Sequence, residues 1–543
     1  MGNELLSTIH GIVLTRCLLG MLSLLLGLTG GAVAQNRQAP PGMFKDLDDA
    51  ILGDALLIHG KQLFVDDYII GDMQGVTKQL HQPTKHPRNP IVRRDPQKDG
   101  LQIDYGSVVF DPRSKQFQLY YQVILGKSFH EHQTHQYLVG YAVSDDGLAW
   151  TKPALNETTG SNLILMDPPE PFIGGPGVMI DDHDPNPDRR YKMLYSAKPN
   201  GMASSLAVHV AYSADGIRWK QEPQNPVIPF SDTQIAPYWD NRLQRYVAYL
   251  RYGPPNIRQV SRIESLDFVH WSPKVTVLKK TKLDAPFSTE FYTMTAWPYS
   301  DVYLGLLNTY HGETIKPIPE DRPWMDRVDN QLVFSRNGVT WNRVGQSGVL
   351  TTADLEGERD WKAEAKGATF LPYGKSKDDW DWGQIYPHYR PLIVGDEIRI
   401  YYGGTLGRHW ASYHKDPIES GVGLATLRLD GFVSVNAGKE PSQLTTKPLV
   451  FLGDTLEINA DAAGGTLTVE ALDANGKVIE GFSMADCTPI TTDSVRHVIK
   501  WGDNPDCYLL QGRPIKLRFH LKDVMLYGFE PQIKHNHYLQ SYD

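Results

Sequence analysis

The decapeptide YAVSDDGLAW, Tyr141–Trp150, has two near copies further along the chain. They are VAYSADGIRW, Val210–Trp219, and LVFSRNGVTW, Leu332–Trp341. Each copy reads as the end of a β-strand, a Ser, a turn that contains Gly, and a Trp. Gly suits such a turn because it adopts a positive φ that residues with a Cβ resist. We interpret the Ser-Gly-Trp turn as an architectural repeat, and the fold follows from what surrounds it.

Each copy of the turn follows a series of short segments. Within these segments apolar and polar residues alternate with a period of two, as in β-strands. Before the first copy these segments are YGSVVFD, FQLYYQV and QYLVGYAVS. Two further units keep the strands but degrade the turn, and they end at Trp271 and at LDGFVSV, Leu429–Val435. Five units of this kind predict an all-β, five-bladed β-propeller. The early strand QLFVDDYII, Gln62–Ile70, is expected to complete the last blade and close the ring.

The pattern changes after residue 440, where longer alternating strands and a hairpin signal at Ala474-Asn475-Gly476 appear. We predict a propeller over residues 59–440, followed by a C-terminal β-sandwich accessory domain over residues 441–535. Residues 35–58 read as a polar leader.

Residues 1–34 resemble a secretory signal peptide, with Arg16, an apolar run and small residues at Ala32 and Ala34. An uncleaved anchor is the alternative, but the apolar run is shorter than the roughly 20 residues that span a bilayer. We predict cleavage after Ala34, a secreted or periplasmic location and no stable membrane insertion afterwards.

Composition narrows the choice of ligands. The formal net charge of −9 and the lack of a basic stripe argue against nucleic acid as a partner. Cys17 lies in the signal, so Cys487 and Cys507 remain, either as one disulfide or as two buried thiols. No His/Cys cluster has metal-ligand spacing, so neither a metal nor a cofactor is predicted. The oligomeric state is not indicated.

Acidic residues stand at matching positions near the start of the inner strand in three blades: Asp104, Asp232 and Glu290. Cleavage of a glycosidic bond needs one protonated acid and one ionised carboxylate, and a third can tune the other two. Each also has a structural interpretation, as a strand cap, an Asx-turn or an ion-pair partner. Their shared register favours a catalytic set on a carbohydrate substrate. Blade two has GGPG at this position instead of an acid.

Four segments carry a resemblance to a known group: LFVDDYI (Leu63–Ile69), YKMLYS (Tyr191–Ser196), QLVFSRNGVTW (Gln331–Trp341) and GVGLATLRLDGFVSV (Gly421–Val435). The chain resembles the five-bladed glycoside hydrolases of families 32 and 43, and especially secreted bacterial proteins of the "glycosyl hydrolase family 32 N-terminal domain-like" group. This resemblance implies Asp104 as base or nucleophile, Asp232 as the tuning residue and Glu290 as acid. The Asn-Asp-Pro-Asn, Arg-Asp-Pro and Glu-Cys motifs of fructan-cleaving members are absent, so fructan specificity is not expected.

Further polar and aromatic residues near the inner strands are candidates for sugar binding, because aromatic faces stack on sugars and Arg donates paired hydrogen bonds. They are Arg251, Tyr292, His311, Trp382, Gln384 and Arg408. Asp67, next to Asp66, is an alternative base, although a salt bridge at the strand end is the favoured interpretation.

The sequence thus predicts a secreted glycoside hydrolase that acts on an oligo- or polysaccharide through Asp/Glu acid-base catalysis. Two alternatives stay open at this point. One is a carbohydrate-binding propeller without catalysis. The other is a glycoside phosphorylase, which requires a basic phosphate pocket near the acid, for example from Arg251, Arg262 or Arg408.

Overall fold

The computed structural model describes residues 54–126, 135–198, 206–251, 257–284, 288–312, 324–357, 368–409, 418–503 and 505–534. The predicted signal peptide, residues 1–34, and nearly all of the polar leader lie outside these ranges. Within them, no helix has the length and apolar character needed to cross a membrane.

The described residues form a five-bladed β-propeller and a β-sandwich. Blades I to V are named in chain order. Their inner strands begin at Gln102, Gly174, Ala236, Thr289 and Gln384. Blade I contains Gln102–Asp111, Gln116–Leu125 and Gln136–Ser144. Blade II contains Leu165–Asp167, Gly174–Ile180, Tyr191–Ala197, Ala207–Ser213 and Arg218–Gln221, and blade III contains Ala236–Asp240, Arg245–Arg251, Val260–Ser265 and Val275–Leu278.

Blades IV and V share a single parallel residue pair, Val328 with Gln384, and otherwise form separate sheets. Blade IV contains Thr289–Tyr299, Val302–His311, Val328–Ser335, Asn342–Gly345 and Gly348–Val349. Blade V contains Gln384–Pro387, Leu392–Val394, Glu397–Thr405 and Ser420–Arg428. The helices among the described residues are short: Thr352–Gly357 is α-helical, and Pro187–Arg189 and Tyr508–Leu510 are 3₁₀ turns.

The ring is closed by two short N-terminal strands, Thr84–Lys85 and Val92–Arg93, which pair antiparallel with Ser420–Arg428 of blade V. The expectation that Gln62–Ile70 closes the ring is therefore wrong. Gln62–Leu63 pairs with Val524–Gln532, and the strand that begins at Ile70 pairs with Ser442–Thr446. Phe64, Val65 and Ile69 are buried in the core that the sandwich shares, and burying them there is what draws this segment away from the ring.

The sandwich consists of two sheets that combine N-terminal and C-terminal strands. One contains Leu56–Leu57, Ile70–Gln74, Ser442–Thr446, Leu449–Val450, Thr466–Asp473 and Ile515–Lys522. The other contains Gln62–Leu63, Val76–Leu80, Val433–Ala437, Thr455–Asp461, Asp493–Val498 and Val524–Gln532. The expected end of blade V, Leu429–Val435, thus runs into the sandwich instead. Cys487 and Cys507 are both buried and free.

The Ser-Gly-Trp turns share one hydrogen-bond pattern. In the first copy the Gly147 N–H donates to Ser144 Oγ at 2.9 Å, and Trp150 Nε1 donates to the Gly147 carbonyl at 3.2 Å. The glycines Gly147, Gly216 and Gly338 have φ between 71° and 77°. Blade III keeps the same bonds although Phe268 replaces the glycine, at a φ of 69°.

A second repeat joins each blade to the next, and the sequence did not reveal it. An Asp at the end of an inner strand accepts a hydrogen bond from a Tyr near the start of the next blade's second strand. Tyr191 donates to Asp111 at 2.8 Å, Tyr246 to Asp181 at 2.5 Å and Tyr303 to Asp240 at 2.6 Å. In blade IV the corresponding Asp301 accepts a hydrogen bond at 2.5 Å from Gln62, which belongs to the sandwich instead of to the next blade.

Candidate active site

One cavity of about 170 Å³ lies where the inner strands of the propeller converge. All five blades contribute to its lining. Asp104 comes from the inner strand of blade I, Gly175 from that of blade II, and Asp232 from just before that of blade III. Blades IV and V supply Tyr292 and Gln384. The common register inferred from the sequence thus brings residues from distant parts of the chain to one pocket.

Direct hydrogen bonds join the inner strands to one another. Ser107 Oγ in blade I donates to the Pro176 carbonyl in blade II at 3.0 Å. Gln234 Nε2, before blade III, donates to the Gly106 carbonyl at 2.7 Å, and Thr293 Oγ1 in blade IV donates to the Gln234 carbonyl at 3.0 Å. These bonds fix the inner strands that carry the lining residues.

Asp104 is a buried carboxyl group that is held by amide donors. Its Oδ1 accepts from the Tyr105 N–H at 2.7 Å and from Gln122 Nε2 at 2.8 Å, and its Oδ2 accepts from Gln102 Nε2 at 2.9 Å. Burial disfavours the charged form more than these three bonds stabilise it, so the pKa of Asp104 rises to about 6. A backbone irregularity between Ile103 and Gly106 lies at this position.

Asp232 lines the same cavity in a different electrostatic environment. It forms a two-bond ion pair with Arg251, whose Nε donates to Oδ1 at 2.7 Å and whose Nη2 donates to Oδ2. The guanidinium group also lies 4.4 Å from the centre of the Tyr292 ring. Paired hydrogen bonds from a guanidinium to a carboxylate are charge-assisted and strong. The site therefore pairs a carboxyl that titrates near pH 6 with one that is matched to a cation.

Aromatic rings form much of the remaining wall. Tyr105 and Tyr386 have their ring centres 4.6 Å apart, and Tyr137 and Phe172 have theirs 4.4 Å apart. Tyr292 hydrogen-bonds to His409 Nε2 at 2.9 Å. Burial, together with Arg258 and Arg251, lowers the pKa of His409 to about 3, so this ring is neutral at physiological pH. Rings beside polar groups are what stacking on a sugar requires.

Glu290, the third predicted catalytic residue, is not among the residues that line the cavity. It lies in the inner strand of blade IV, where its carboxylate pairs with Arg258 and has Lys280 Nζ at 4.0 Å. The guanidinium of Arg258 also lies 5.5 Å from the ring centre of Tyr292, which lines the cavity.

The predicted sugar-binding residues divide into two groups. Arg251, Tyr292 and Gln384 line the cavity, whereas the other three do not. His311 is buried between Thr289, at 2.9 Å, and Asp329, also at 2.9 Å. Trp382 is buried, and its ring has the guanidinium of Arg408 4.8 Å from its centre. The described contacts of the second group are thus hydrogen bonds and ring packing outside the cavity lining.

Asp67, the alternative base, lies in the segment that joins the sandwich. Its side chain is exposed and pairs with Lys78 Nζ at 2.9 Å. The neighbouring Asp66 pairs with Arg336 of blade IV at 2.7 Å. Neither residue lines the cavity, so their contacts match the salt-bridge interpretation.

Two glutamines that hold Asp104 were missed by the sequence analysis. Gln102 and Gln122 sit on the first two strands of blade I and are both buried. In a strand with alternating residues a polar residue usually marks the solvent side, so Gln122 in FQLYYQV gave no signal. A buried glutamine points to a functional site only when the structure shows which group its side-chain amide hydrogen-bonds, here Asp104. Among the described residues, no group of three or more His, Cys, Asp or Glu is arranged to hold a metal ion.

Comparison with known proteins finds solved structures that are similar to this chain at low sequence identity. No family model and no curated protein matches the chain. A glycosyl hydrolase from Bacteroides ovatus is 12% identical with a TM-score of 0.41, covering 64% of this chain and 94% of that one.

Two other solved structures are similar to the same extent. One comes from work on the GH130 family of mannoside phosphorylases, which contains glycoside hydrolases that target β-1,2 mannosidic linkages in Candida mannan; identity is 12%, TM-score 0.41, and coverage 67% of this chain and 95% of that one. The other is an N-acetylgalactosamine deacetylase from F. plautii in complex with blood group B trisaccharide, at 15% identity and a TM-score of 0.39, covering 66% and 97%. At this identity and TM-score these structures carry no argument about the activity of the chain, and membership of families 32 or 43 stays a prediction. We draw the function from the site itself.

Proposed function

We propose that the protein is a glycoside hydrolase in which Asp104 is the general acid and Asp232 is the ionised carboxylate. The proposal is carried by one observation: two carboxyl groups in different electrostatic environments line the same aromatic-walled cavity. Pairs of titratable groups whose surroundings separate their protonation states are what acid-base cleavage of a glycosidic bond needs.

In this mechanism Asp104 donates its proton to the glycosidic oxygen as the bond to the anomeric carbon breaks. Asp232 either attacks that carbon or takes a proton from the attacking water. The resemblance noted above implies the opposite role for Asp104, as base or nucleophile. Its burial, and its lack of a described cationic partner, favour the protonated form and therefore the acid role.

Hydrolysis is favoured over phosphorolysis because of how the basic residues are engaged. Among the described residues that line the cavity, Arg251 is the one arginine, and it is already paired with Asp232. Arg262 pairs with Glu264, and Arg408 donates to the Met325 carbonyl. Addition of inorganic phosphate is thus expected to leave the products unchanged. We propose export of the protein on the basis of the signal-like residues 1–34.

The acid role of Asp104 is tested with aryl glycosides that differ in leaving group. Purified protein is first screened against a panel of aryl glycosides and polysaccharides to find a substrate. Asp104→Asn is expected to lose about 10²–10⁴-fold in kcat/KM on a poor leaving group. On a dinitrophenyl glycoside, which departs without protonation, the loss is much smaller. Wild-type activity on the poor leaving group falls as the pH rises above about 6.

Glu290→Gln is the matched comparison, because the resemblance makes Glu290 the acid. If Glu290→Gln shows the leaving-group dependence and Asp104→Asn does not, the assignment made here is wrong. If both variants and the wild type bind oligosaccharide without turnover, the carbohydrate-binding alternative replaces the enzymatic one.

A further inference from the structure

Blade II lacks an acid at the cavity, yet its GGPG segment contacts both carboxylate-bearing elements. Gly175 in this segment donates its N–H to Gln122 Oε1 at 2.7 Å, and Gln122 Nε2 in turn donates to Asp104 Oδ1 at 2.8 Å. Gly175 also lies against the backbone of Thr233, the residue after Asp232. Gly175 thus contacts Gln122, which hydrogen-bonds Asp104, and Thr233, which follows Asp232.

The Gly175 N–H fixes the orientation of the Gln122 amide. A backbone N–H can only donate, so the oxygen of the Gln122 side chain must face it. The NH₂ group of the same amide is then directed at Asp104. Without the N–H of Gly175, the amide is free to rotate by half a turn and present its oxygen to Asp104, which favours the protonated carboxyl. Gln122 is 3% exposed and belongs to the lining of the cavity.

The absence of a side chain at Gly175 is required on the other side. Its φ is 57°, and a Cβ at this position would stand 2.4 Å from the carbonyl carbon and oxygen of Thr233. Contacts this short force the backbone apart. Any residue larger than Gly would therefore force the Gly175 segment and Thr233, the residue after Asp232, apart.

We propose that Gly175 and Gln122 are positioning residues, through which blade II sets the placement of Asp104 and Asp232 relative to each other. Gln122 acts on Asp104 by a hydrogen bond, and Gly175 acts on Asp232 by allowing close approach of the Thr233 backbone. The inference rests on the proposed function for its catalytic meaning. The effect of these hydrogen bonds on the protonation of Asp104, called the relay below, can be measured without turnover.

The test measures the titration of Asp104 without a substrate. The carbonyl stretch of the protonated carboxyl is followed by infrared difference spectroscopy against pH, with Asp104→Asn to assign the band. Gln122→Met removes one hydrogen-bond donor from the carboxylate, so the titration midpoint is expected to move upward by about one pH unit. Gln118→Met is the control, because Gln118 is a buried glutamine of the same strand that hydrogen-bonds Tyr120 instead.

Gly175→Ala keeps the backbone N–H but moves it away from Gln122, because the new Cβ cannot lie against the Thr233 backbone. The midpoint is therefore expected to move in the same direction and, once a substrate is known, kcat is expected to fall. Gly160→Ala is its control, since Gly160 has a φ of 65° and no atom within 4 Å of a Cβ. In the double variant Gln122→Met/Gly175→Ala, the midpoint equals that of Gln122→Met alone if the effect passes through Gln122.

An unchanged midpoint in folded Gln122→Met overturns the proposal, and so does an equal shift in Gln118→Met. Should Gly175→Ala fail to fold, the comparison of the two glutamine variants decides alone. A shifted midpoint in a protein that cleaves no glycoside supports the relay and contradicts only the enzymatic function.

Discussion

At the scale of single residues, two aspartates of one strand show how the surroundings decide a charge. Asp104 and Asp111 both belong to the inner strand of blade I and both are buried. Amides surround Asp104, whereas Asp111 accepts from Arg190 and from Tyr191. For Asp111, burial opposes ionisation, but the bonds from Arg190, the Arg113 N–H and Tyr191 outweigh it and lower the pKa to about 2. The two groups therefore affect stability in opposite ways.

Asp104→Asn is expected to stabilise the fold above pH 6. Between about pH 4 and 6 the folded protein keeps the Asp104 proton that the unfolded chain has lost, so wild-type stability falls as the pH rises through this window. A rise of the pKa from 3.8 to about 6 corresponds to about 3 kcal/mol at most. Guanidinium unfolding at pH 8 should show much of this gain and, at pH 4.5, little difference. A variant that is less stable than wild type at pH 8 contradicts the environment described for Asp104.

Asp111→Asn is expected to behave in the opposite way. The contribution of Asp111 is present above its unfolded pKa of 3.8 and is lost as the pH falls through about 2. At pH 7 the variant removes the charge that pairs with the buried Arg190, whose contact to Asp182 is longer, at 3.5 Å, and a cost of about 3 kcal/mol follows. The same unfolding measurement, repeated at pH 7 and pH 3, checks this. Equal losses at the two pH values would show that folding does not lower the pKa of Asp111, which contradicts this account.

At the scale of elements, the repeated turn depends on a positive φ that one blade assigns to a bulky residue. Phe268 has the conformation that glycine adopts in blades I, II and IV, and such a φ is costly for a residue with a Cβ. Its ring is nevertheless completely buried between blades II and III. The packing of the ring thus offsets the strain of the backbone.

Phe268→Gly separates these two effects. Removing the buried ring costs about 3–5 kcal/mol, and relief of the strain returns about 1 kcal/mol. We expect a net loss of about 2–4 kcal/mol in the free energy of unfolding, measured at neutral pH. If the glycine variant is as stable as wild type or more so, the strain exceeds the packing and this account of the turn is wrong.

Ring closure is a second property of elements, and it relies on an ion pair. Lys85 in the closing strand has its Nζ 2.6 Å from Asp381 of blade V, and Asp381 also accepts from Tyr402 at 2.8 Å. Lys85→Met leaves Asp381 buried without its cation, at a cost of about 3 kcal/mol. The double variant Lys85→Met/Asp381→Asn is expected to recover part of that loss. Hydrogen exchange should localise the weakening to residues 84–93, and uniform loss of protection would contradict it.

For the protein as a whole, the sequence predicted those features of the fold that recur from blade to blade. Three copies of the Ser-Gly-Trp turn and two further units of strands predicted five blades, and the shared register predicted that Asp104 and Asp232 lie in one cavity, as they do. The closing strands escaped notice because Thr84–Lys85 and Val92–Arg93 are two residues long and carry no periodicity. Gln62–Ile70 was misassigned since an apolar strand pattern says how a segment is buried but not against which sheet.

The sandwich and the propeller are expected to unfold together, because they share a core and the sandwich contains strands from both ends of the chain. One cluster of buried side chains contains Phe64 and Phe519 of the sandwich region, Leu304 of blade IV and Tyr402 of blade V. Contacts that bind two regions this closely make their unfolding a single transition. Calorimetry should therefore give one peak, and Arg336→Ala, which removes the pair with Asp66, should lower its temperature without splitting it. Two separate peaks in the wild type would mean that the sandwich folds on its own and that the N-terminal strands do not couple it to the ring.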